Sequence, residues 1–376
     1  MNKINIAYII SYVSNDGPPN ILFNIVKYLS KDKYNIFLFI IDKKNKYKDN
    51  KRFKELGINF IYLDLSKYKI FFYNIKKMEK IIKEKNIQII HSHCLASTIL
   101  ISRLKNCIKI STIHCNFRED FKMINGKIKG KIMEKLYLNS LRKMNLNICC
   151  SESIKNQILN YSDLSMDYIK NGVDIEKFET KNSKIELRRK LNLKLNYKYF
   201  IAVGYFIQRK DPYFIAKNFT DLKLEKTKLI LLGTSKKDKT IENKIRALKN
   251  KNIIMPGKVT NVNEYLNACD YFISSALYEG LPNAVLEACC AKLPILLSNI
   301  DPHKEVLNLS QNAGFLYELK NEQNFKEMLI KLISYDYQTL SEGSFKIVKE
   351  ELNAKKMSQE YEKKYWSLLK GKNEHL

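Results

Sequence analysis

Glu279-Gly-Leu-Pro-Asn-Ala-Val-Leu-Glu287 is the stretch that decides the fold of this chain. The apolar residues 271–273 just before it have the β-branched and aromatic content of a buried strand. The residues after Asn283 favour a helix, and Pro282 suits the first helical position, where its missing N–H costs nothing. The N-terminus of such a helix presents N–H groups and the positive end of the helix dipole. The stretch therefore predicts a strand, a short turn and a helix start suited to a phosphate.

Two carboxylates flank this turn, eight positions apart. Asn283 and Glu287 are four residues apart and share a helix face, while Glu279 lies in the turn itself. A carboxylate accepts two hydrogen bonds side by side, which suits the diol of a sugar. A phosphate site between two diol acceptors is what a nucleotide sugar requires. The alternative is that Gly-Pro turns occur in any α/β domain and that two glutamates at this spacing arise by chance.

Residues 275–288, Ser-Ala-Leu-Tyr-Glu-Gly-Leu-Pro-Asn-Ala-Val-Leu-Glu-Ala, resemble the signature of retaining family-4 glycosyltransferases of the GT-B fold, of the type that builds bacterial surface polysaccharides. The resemblance implies that Glu279 lies beside the donor sugar as a catalytic residue and that Glu287 binds the ribose. By the same resemblance, the turn that holds the donor diphosphate comprises Gly280, Leu281, Pro282, Asn283 and Ala284. Other stretches follow the order of the family, so the resemblance spans nearly the whole chain.

The size and composition of the chain suit an ordinary two-domain protein. Its 376 residues predict two domains, and a hydrophobic fraction of 45% can fill two cores. No apolar run approaches the roughly 18 residues of a membrane helix, and the start of the chain favours a first strand over a signal peptide. The eight cysteines lack metal-ligand spacing and are interpreted as small buried side chains in a reducing cytoplasm.

The chain is strongly basic, with a formal net charge of +27. Residues 1–150 hold 29 basic and 11 acidic residues, so +18 of this charge lies in the first part. One interpretation is an AT-rich coding bias that places lysines on a solvated surface, since Lys, Asn, Ile and Tyr are abundant throughout. The other is attraction to an anionic surface, for which the cytoplasmic membrane leaflet is favoured over nucleic acid.

Strand-like and helix-like segments alternate through the first half. Strands are predicted at residues 4–10, 36–41, 60–63, 87–91, 108–114 and 147–150, and helices at 20–30, 73–85, 95–104, 127–144 and 152–160. This alternation indicates a parallel, doubly wound sheet, in which ligands bind at the carboxyl ends of the strands. The turn at residues 15–20 carries no dinucleotide fingerprint. The resemblance places Gly17 of this turn at the donor phosphates or the acceptor.

Three of the five histidines follow two neighbouring predicted strands. His91 and His93 end one strand, and His114 ends the next. Such residues can bind a metal, cap a turn or contact a substrate, but the spacing lacks a further Cys or Asp ligand, so no metal site is predicted. The resemblance implies that His114 approaches the donor sugar and stabilises the reacting centre, and that His93 lines the cleft.

Residues 117–143 combine basic and apolar side chains. The basic residues are Arg118, Lys122, Lys127, Lys129, Lys131, Lys135, Arg142 and Lys143. From about residue 127 the segment can form an amphipathic helix that docks the enzyme on anionic lipid, near a lipid-linked acceptor. The alternative is a core helix with a solvated basic face.

The second half restarts the alternation at residues 199–203. In the family, an arginine and a lysine after this strand hold the donor diphosphate. Lys210 matches the lysine, whereas Tyr205 stands where the arginine is expected, and Arg209 can supply the missing charge. Without the resemblance, Arg209 and Lys210 are ordinary surface charges.

Further along, the sequence both keeps and departs from the family pattern. Gly233 is what remains of a frequent Gly-x-Gly, and residues 253–259 form the strand and loop expected to contact the nucleobase. Lys292 stands where the family usually has glycine, and residues 298–305 are expected to frame the cleft.

These features predict a GT-B enzyme with two Rossmann-like, doubly wound parallel-sheet α/β domains that face a cleft. Residues 1–172 form the acceptor-side domain, residues 173–355 the nucleotide-sugar domain, and residues 356–376 a helix that crosses back to the first domain. The expected reaction moves a hexosyl or N-acetylhexosaminyl group from a UDP-sugar, favoured over a GDP-sugar, to a hydroxyl of a growing or lipid-linked glycan. The anomeric configuration is expected to be retained.

No metal or other cofactor is expected, because Lys210, Arg209 and the helix amides would stabilise the leaving diphosphate. The expected location is the cytoplasm, with the basic N-terminal domain on the cytoplasmic face of the membrane. Two rival functions stay open. A catalytically weak GT-B binding protein would explain Tyr205 and Lys292, and a nucleic-acid-binding protein would explain the charge but not the motif at 279–287. A dehydrogenase is disfavoured by the missing fingerprint.

Overall fold

The computed structural model describes residues 3–14, 17–42, 51–66, 69–235 and 238–373. It divides into two compact units, and each contains a parallel sheet covered by helices. Unit 1 comprises Met1–Asn171 together with Ala354–Leu376, and unit 2 comprises Gly172–Asn353. The predicted α/β class and the two parallel-sheet domains are confirmed.

Among the described residues, unit 1 contains a seven-stranded sheet in the order β3-β2-β1-β4-β5-β6-β7. Its strands are β1 Ile4–Ile10, β2 Tyr34–Asp42, β3 Asn59–Leu65, β4 Ile89–Ser92, β5 Ile108–Ile113, β6 Leu146–Cys149 and β7 Asp167–Tyr168. Its helices are α1 Gly17–Lys27, α2 Lys51–Glu55, α3 Ile75–Glu84, α4 Leu95–Ile101, α5 Phe117–Leu141, α6 Glu152–Leu159 and, at the end of the chain, α15 Ala354–Asn373.

The described part of unit 2 contains a six-stranded sheet in the order β10-β9-β8-β11-β12-β13. Its strands are β8 Lys198–Val203, β9 Thr227–Leu232, β10 Ile253–Gly257, β11 Tyr271–Ser274, β12 Ile295–Ser298 and β13 Gly314–Tyr317. Its helices are α7 Lys184–Lys190, α8 Pro212–Leu222, α9 Thr240–Ala247, α10 Val262–Ala268, α11 Asn283–Cys290, α12 Asp301–Leu307, α13 Glu322–Ser334 and α14 Tyr337–Lys346, and a π-helical turn at Ile347–Glu351 follows.

The strand order of each sheet reverses once. In unit 1 the reversal lies between β1 and β4, and in unit 2 it lies between β8 and β11. In open parallel sheets, ligands bind at such a switch point, beyond the carboxyl ends of the two strands. In unit 2, residues 204–211 follow β8 and residues 275–282 follow β11, so this topology places the basic pair and the Glu279 turn at one switch point.

The sheet of unit 1 is covered on both faces, as the continuous apolar strands require. Alternate residues of β1 enter different cores: Ile6, Tyr8 and Ile10 pack in one, and Ala7 and Ile9 in the other. The first core also receives buried side chains of α1 and α15, and the second receives those of α3 and α4. Helix α15 is therefore part of unit 1, although unit 2 precedes it in the sequence.

A buried chain of polar groups joins α15 to the sheet of unit 1. The Tyr365 hydroxyl lies 2.9 Å from both the Tyr8 hydroxyl and His91 Nδ1. His91 Nε2 lies 2.8 Å from the Thr112 hydroxyl, which in turn lies 3.0 Å from the Tyr361 hydroxyl. Because buried polar groups need partners, this chain fixes how α15 sits on the strands.

The long helix of unit 1 differs from its predicted bounds. The sequence predicted a helix at residues 127–144, whereas α5 spans Phe117–Leu141. Gly126 has a φ of 76°, so the helix is kinked there, and the first half was missed because Gly126 interrupts a helical pattern. Within the described residues, no helix has the length and apolar content to cross a membrane.

Candidate functional site

The turn between β11 and α11 carries the motif that opened the sequence. Helix α11 begins at Asn283, and Pro282 is its N-cap with φ −78° and ψ 97°. The prediction that Pro282 occupies the first helical position is wrong by one residue, because its extended ψ places it before the helix. The Pro282 carbonyl accepts hydrogen bonds from the amides of Val285 and Leu286, at 3.0 and 3.2 Å.

Two cations contact the first glutamate of the motif. Lys210 Nζ pairs with Glu279 Oε1, and Arg209 Nη1 lies 3.3 Å from Glu279 Oε2. The Glu279 residue is 7% exposed, so the carboxylate is largely removed from water. Arg209 also lies over the ring of Tyr278, at 5.6 Å from the centroid. The basic pair and the first glutamate of the motif therefore meet in one cluster.

Hydrogen bonds hold the two loops of this cluster together. The buried Ser275 hydroxyl lies 2.9 Å from the carbonyl of Lys210 and 2.8 Å from that of Asp211. The Leu277 amide donates to the Arg209 carbonyl at 2.8 Å. Asp211 caps α8 and lies in a left-handed conformation, with φ 41°. The backbone that presents the cations is thus fixed by the β11–α11 loop.

Two glycines allow this packing. Gly204, which follows β8, has a φ of 153°, and a Cβ built on it would lie 3.6 Å from Lys210 Cε, so the lysine chain passes over it. Gly233, which follows β9, has the same φ, and its Cβ would lie 1.8 Å from the Gly204 carbonyl oxygen. Only glycine permits such an approach of two backbones. This explains why Gly233 is present, although the frequent Gly-x-Gly of the family is not complete.

The charges of the cluster decide the ionisation of Glu279. Burial by itself raises the pKa of this carboxyl, but the charges of Lys210 and Arg209 outweigh burial and hold the pKa below its usual value. Glu279 is therefore ionised at neutral pH, and it balances one of the two positive charges beside it.

The second glutamate of the motif behaves differently. Glu287 lies on α11, and desolvation raises its pKa even though the charges of Lys177 and Lys210 act in the other direction. The charge of Lys210 therefore acts to lower the pKa of both glutamates. Asn283 lies one turn before Glu287, so the predicted common face of these two residues is present.

His303 supports the same loop from α12. Its Nδ1 lies 2.8 Å from the Ser298 carbonyl, and the Ser298 hydroxyl donates to the Ala276 carbonyl at 2.6 Å. Burial lowers the pKa of His303 to about 4, so its ring is neutral at pH 7. The sequence placed residues 298–305 near the cleft but assigned no role to this histidine or to Ser275. Ser275 directly follows β11, and His303 lies five residues after the end of β12, so the signal that could have found them is a polar residue close to the carboxyl end of a strand.

The other predicted residues belong to unit 1. Gly17 is exposed, has a φ of 39° and begins α1, while residues 15 and 16 of its predicted turn lie outside the described residues. His114 directly follows β5 and His93 directly follows β4, and the two strands are parallel neighbours. His93 Nδ1 lies 3.1 Å from His114 Nε2. Two of the three predicted histidines are thus in direct contact.

No group of three or more His, Cys, Asp or Glu side chains within the described ranges could hold a metal ion. Six of the eight cysteines are buried, and Cys94 and Cys115 are partly exposed. Lys292, the departure from a family glycine, has a φ of 59°. Glycine adopts such a left-handed conformation more readily than other residues, which explains why the family usually has glycine at this position.

Family models match both halves of the chain. Residues 183–344 match the model described as Glycosyl transferases group 1, and residues 16–177 match the model described as Glycosyltransferase Family 4.

Several characterised or named proteins are similar to the chain. The capsular polysaccharide biosynthesis glycosyltransferase CapH of Staphylococcus aureus is 29% identical over 71% of this chain and 74% of that protein. The UDP-Gal:alpha-D-GlcNAc-diphosphoundecaprenol alpha-1,3-galactosyltransferase of Escherichia coli is 27% identical over 67% of this chain and 68% of that protein. The structure of Anabaena HepE in complex with UDP and glucose superposes with a TM-score of 0.79 at 14% identity, over 97% of this chain and all of that one.

Proposed function

The chain belongs to the family-4, group 1 glycosyltransferases of the GT-B fold, and on that premise we propose that it moves a sugar from a nucleotide sugar to a hydroxyl of a glycan. A UDP-sugar is favoured over a GDP-sugar as the donor, and a growing or lipid-linked glycan of a bacterial surface polysaccharide is the acceptor. The observation that carries the proposal is the contact of Lys210 and Arg209 with Glu279 at the switch point of unit 2. The names of two relatives, which refer to capsule synthesis and to a UDP-galactose donor, support the same direction.

The cluster suits a diphosphate leaving group. As the bond between sugar and phosphate breaks, negative charge accumulates on the diphosphate, and Lys210 and Arg209 stabilise that charge more in the transition state than in the ground state. In the structure the same two cations contact Glu279, so this carboxylate and a diphosphate compete for them. When the diphosphate takes the cations, Glu279 becomes able to accept hydrogen bonds from sugar hydroxyls.

The proposed reaction retains the anomeric configuration. Glu279 and His114 orient the donor sugar, and Glu287 binds the ribose. The acceptor attacks from the face on which the diphosphate departs, and a phosphate oxygen of the leaving group takes the acceptor proton. This scheme needs no covalent intermediate on the protein.

In the proposed scheme, two cationic side chains stabilise the leaving diphosphate, so no divalent metal is needed. Turnover is expected to continue at its full rate in a strong chelator. A loss of activity that added Mg²⁺ or Mn²⁺ restores would contradict this part of the proposal.

Helix α5 supports a proposed contact with an anionic membrane. Ile128 and Ile132 lie one turn apart and are 79% and 64% exposed, and lysines surround them in sequence. Tyr137 and Leu141, on the opposite side of this part of the helix, are buried in unit 1. An exposed apolar pair within a basic segment suits the boundary between lipid headgroups and acyl chains.

Vesicle flotation tests the membrane contact. The wild-type protein is expected to float with vesicles that contain an anionic phospholipid and to stay down with purely zwitterionic vesicles. Replacing Ile128 and Ile132 by serine should weaken binding, whereas Ile330→Ser, at an exposed isoleucine of unit 2 (51% exposed), should not. Binding by the wild type to neither kind of vesicle would end this proposal.

Ligand-dependent thermal stabilisation tests the function itself. A ligand that binds only the native state raises the melting temperature, by an amount that grows with its concentration. UDP-sugars are expected to stabilise the protein more than GDP-sugars, and release of UDP in the presence of an acceptor glycan is expected. Stabilisation by oligonucleotides in a salt-dependent way, with no response to any nucleotide sugar, would favour the nucleic-acid alternative instead.

A further inference from the structure

We infer that His93 is a positioning residue that fixes the proton of His114 on Nδ1, so that His114 acts as a hydrogen-bond donor rather than as a base. The inference rests on the proposed function for the role of His114 and deepens it. Its starting point is the distance of 3.1 Å between His93 Nδ1 and His114 Nε2. The two ring centroids lie 5.3 Å apart and the rings are nearly parallel, at 29°.

The two histidines are held in place by the sheet. Strands β4 and β5 are parallel neighbours, with Ser92 opposite Ser111, and each histidine follows closely on the end of its strand. His93 is completely buried, between the rings of Tyr8, His91 and His114. The pair is therefore a fixed feature of the edge where ligands of such a sheet bind.

One proton lies between the two nitrogens, and it can belong to either ring. If it belongs to His114 Nε2, His93 Nδ1 is the acceptor, and a neutral His93 must carry its own proton on Nε2. If it belongs to His93 Nδ1, then His93 Nε2 is a bare acceptor, and His114 carries its proton on Nδ1. Both rings are neutral, because burial lowers the pKa of His114 to about 4 and that of His93 well below its usual value.

The surroundings of His93 Nε2 decide between the two arrangements. This nitrogen is buried and has no hydrogen-bond partner among the described residues. A buried N–H without an acceptor is rarer in native proteins than a buried acceptor without a donor. The arrangement with the proton on His93 Nδ1 avoids a buried, unpaired N–H, and it is the one that the geometry favours.

The consequence concerns what His114 offers to a ligand. Its Nε2 is occupied by His93, so its Nδ1 carries an N–H, and within the described part of the chain no other hydrogen bond to this ring is seen. His114 is only partly buried. An N–H at this position can donate to a sugar hydroxyl oxygen or to a phosphate oxygen, but it cannot remove a proton. The acceptor proton must then go to another group, such as the leaving phosphate in the proposed scheme.

Substitutions at position 93 separate a donor from an acceptor. Asparagine places its amide N–H₂ near the former Nδ1 and can still donate to His114, whereas leucine fills similar space and cannot. His93→Asn is therefore the matched rescue variant and His93→Leu the disrupting one. We expect His93→Leu to lower kcat by roughly tenfold to a hundredfold, the scale for loss of an orienting partner, and His93→Asn to recover activity to within about tenfold of wild type.

Nitrogen-15 NMR of labelled histidine gives a readout that a merely structural role would not move. The chain has five histidines, so single-residue variants can assign the signals. In the wild-type protein at neutral pH, His114 is expected to be protonated on Nδ1 and not on Nε2, and His93→Asn should keep this pattern. His93→Leu should shift His114 toward the Nε2–H form, and if this variant does not fold, the wild-type and His93→Asn spectra decide.

The outcomes distinguish this inference from the proposed function. An Nε2–H signal for His114 in the wild type overturns the inference, as does wild-type kcat in a folded His93→Leu variant. A wild-type protein that neither binds nor uses any nucleotide sugar overturns the proposed function, and in that case the NMR pattern alone decides where the proton lies.

Discussion

At the scale of single residues, the central feature is one buried carboxylate between two cations. Lys210 and Arg209 contact different oxygens of Glu279, and their charges keep it ionised in spite of burial. Removing one member of this buried ion cluster leaves an uncompensated charge on the others. For the same reason, the two cations bind strongly to any anion that can replace Glu279.

Lys210→Ala should reduce kcat by roughly ten- to a thousandfold, because it removes one donor that stabilises charge in the transition state. Steady-state kinetics with a nucleotide-sugar donor would measure this. Lys217→Ala is the matched control, since Lys217 also pairs with a glutamate, Glu322, in the same unit but is 41% exposed. Full activity of Lys210→Ala would remove the diphosphate assignment.

Glu279→Gln should have opposite effects on binding and on transfer. The competing carboxylate is lost, so the affinity for UDP is expected to rise by roughly tenfold, which corresponds to about 1.4 kcal/mol. Sugar transfer should fall, because the amide cannot replace the carboxylate as an acceptor for two hydroxyls. Calorimetric titration of UDP would show the first effect, with Glu322→Gln as the control, and weaker UDP binding would contradict the exchange of partners.

At the scale of elements, the loops after β8, β9 and β11 form one structure. The Lys210 side chain lies over Gly204, and the backbone of Gly204 lies against Gly233. The Ser275 hydroxyl hydrogen-bonds to the Lys210 carbonyl. A change in the loop after β9 therefore reaches the cations, although Gly233 itself touches no charged group in this set of contacts.

Gly233→Ala should disturb this structure, because its Cβ would lie 1.8 Å from the Gly204 carbonyl oxygen. We expect a loss of roughly 1–3 kcal/mol of stability from overpacking, together with weaker binding of the donor. Gly257→Ala is the control that distinguishes backbone strain from a steric clash. Gly257 also has a positive φ, of 84°, but a Cβ built on it has no atom within 4 Å. Denaturant unfolding and donor titration of both variants would test this, and equal effects would show that the approach to Gly204 is unimportant.

At the scale of the whole molecule, unit 1 is discontinuous in sequence, because it includes the end of the chain after unit 2. Unit 1 is completed by α15, whose side chains Met357, Tyr361 and Tyr365 lie in its core. Trp366, the single tryptophan of the chain, lies on this helix and is 36% exposed. Its fluorescence therefore reports on unit 1.

Tyr365→Phe should lower the stability of unit 1 by roughly 1–3 kcal/mol, because it leaves buried polar atoms of Tyr8 and His91 without this partner. The measurement is the urea midpoint of Trp366 fluorescence. Tyr168→Phe, at a tyrosine of the same unit that is 37% exposed, is the control. Unchanged stability of Tyr365→Phe would show that apolar packing alone holds α15.

Acid should weaken unit 1 in a pH range where most carboxylates remain ionised. Burial lowers the pKa of His91 to about 3 and of His114 to about 4, and the pKa of His93 also lies well below its usual value. Below pH 6.5 the unfolded chain binds protons that the folded chain does not, so stability is complete above this pH and is lost as the pH falls. Each such histidine contributes a slope of up to about 1.4 kcal/mol per pH unit.

The urea midpoint of Trp366 fluorescence between pH 7.5 and 5 measures this loss. His114→Asn should flatten the dependence by the contribution of one histidine. A midpoint that stays constant down to pH 5 would contradict the neutral state of these rings in the folded protein.

The sequence by itself determined the α/β class, most strands of the first half and the stretch at 279–287. These features are local: the strand pattern, the turn residues and the helix start lie within a few residues of one another. Strand β1 has its predicted bounds, whereas α5 was missed in part because a glycine obscured its continuation. The resemblance placed the basic pair and the motif at the same diphosphate, but their direct contact, between residues that are 69 and 70 positions apart in sequence, depends on the strand order of the sheet.

Only the tertiary structure decided which side chains support these groups. Ser275, Ser298 and Gly233 contact backbone atoms of other loops, and the His91–Tyr365 contact spans 274 positions. Such contacts carry no periodic or local signal, because any serine or histidine near a strand end can find many partners until the strand order is fixed. The proton shared by His93 and His114 likewise depends on an unpaired nitrogen that becomes visible only when the side chains around it are in place.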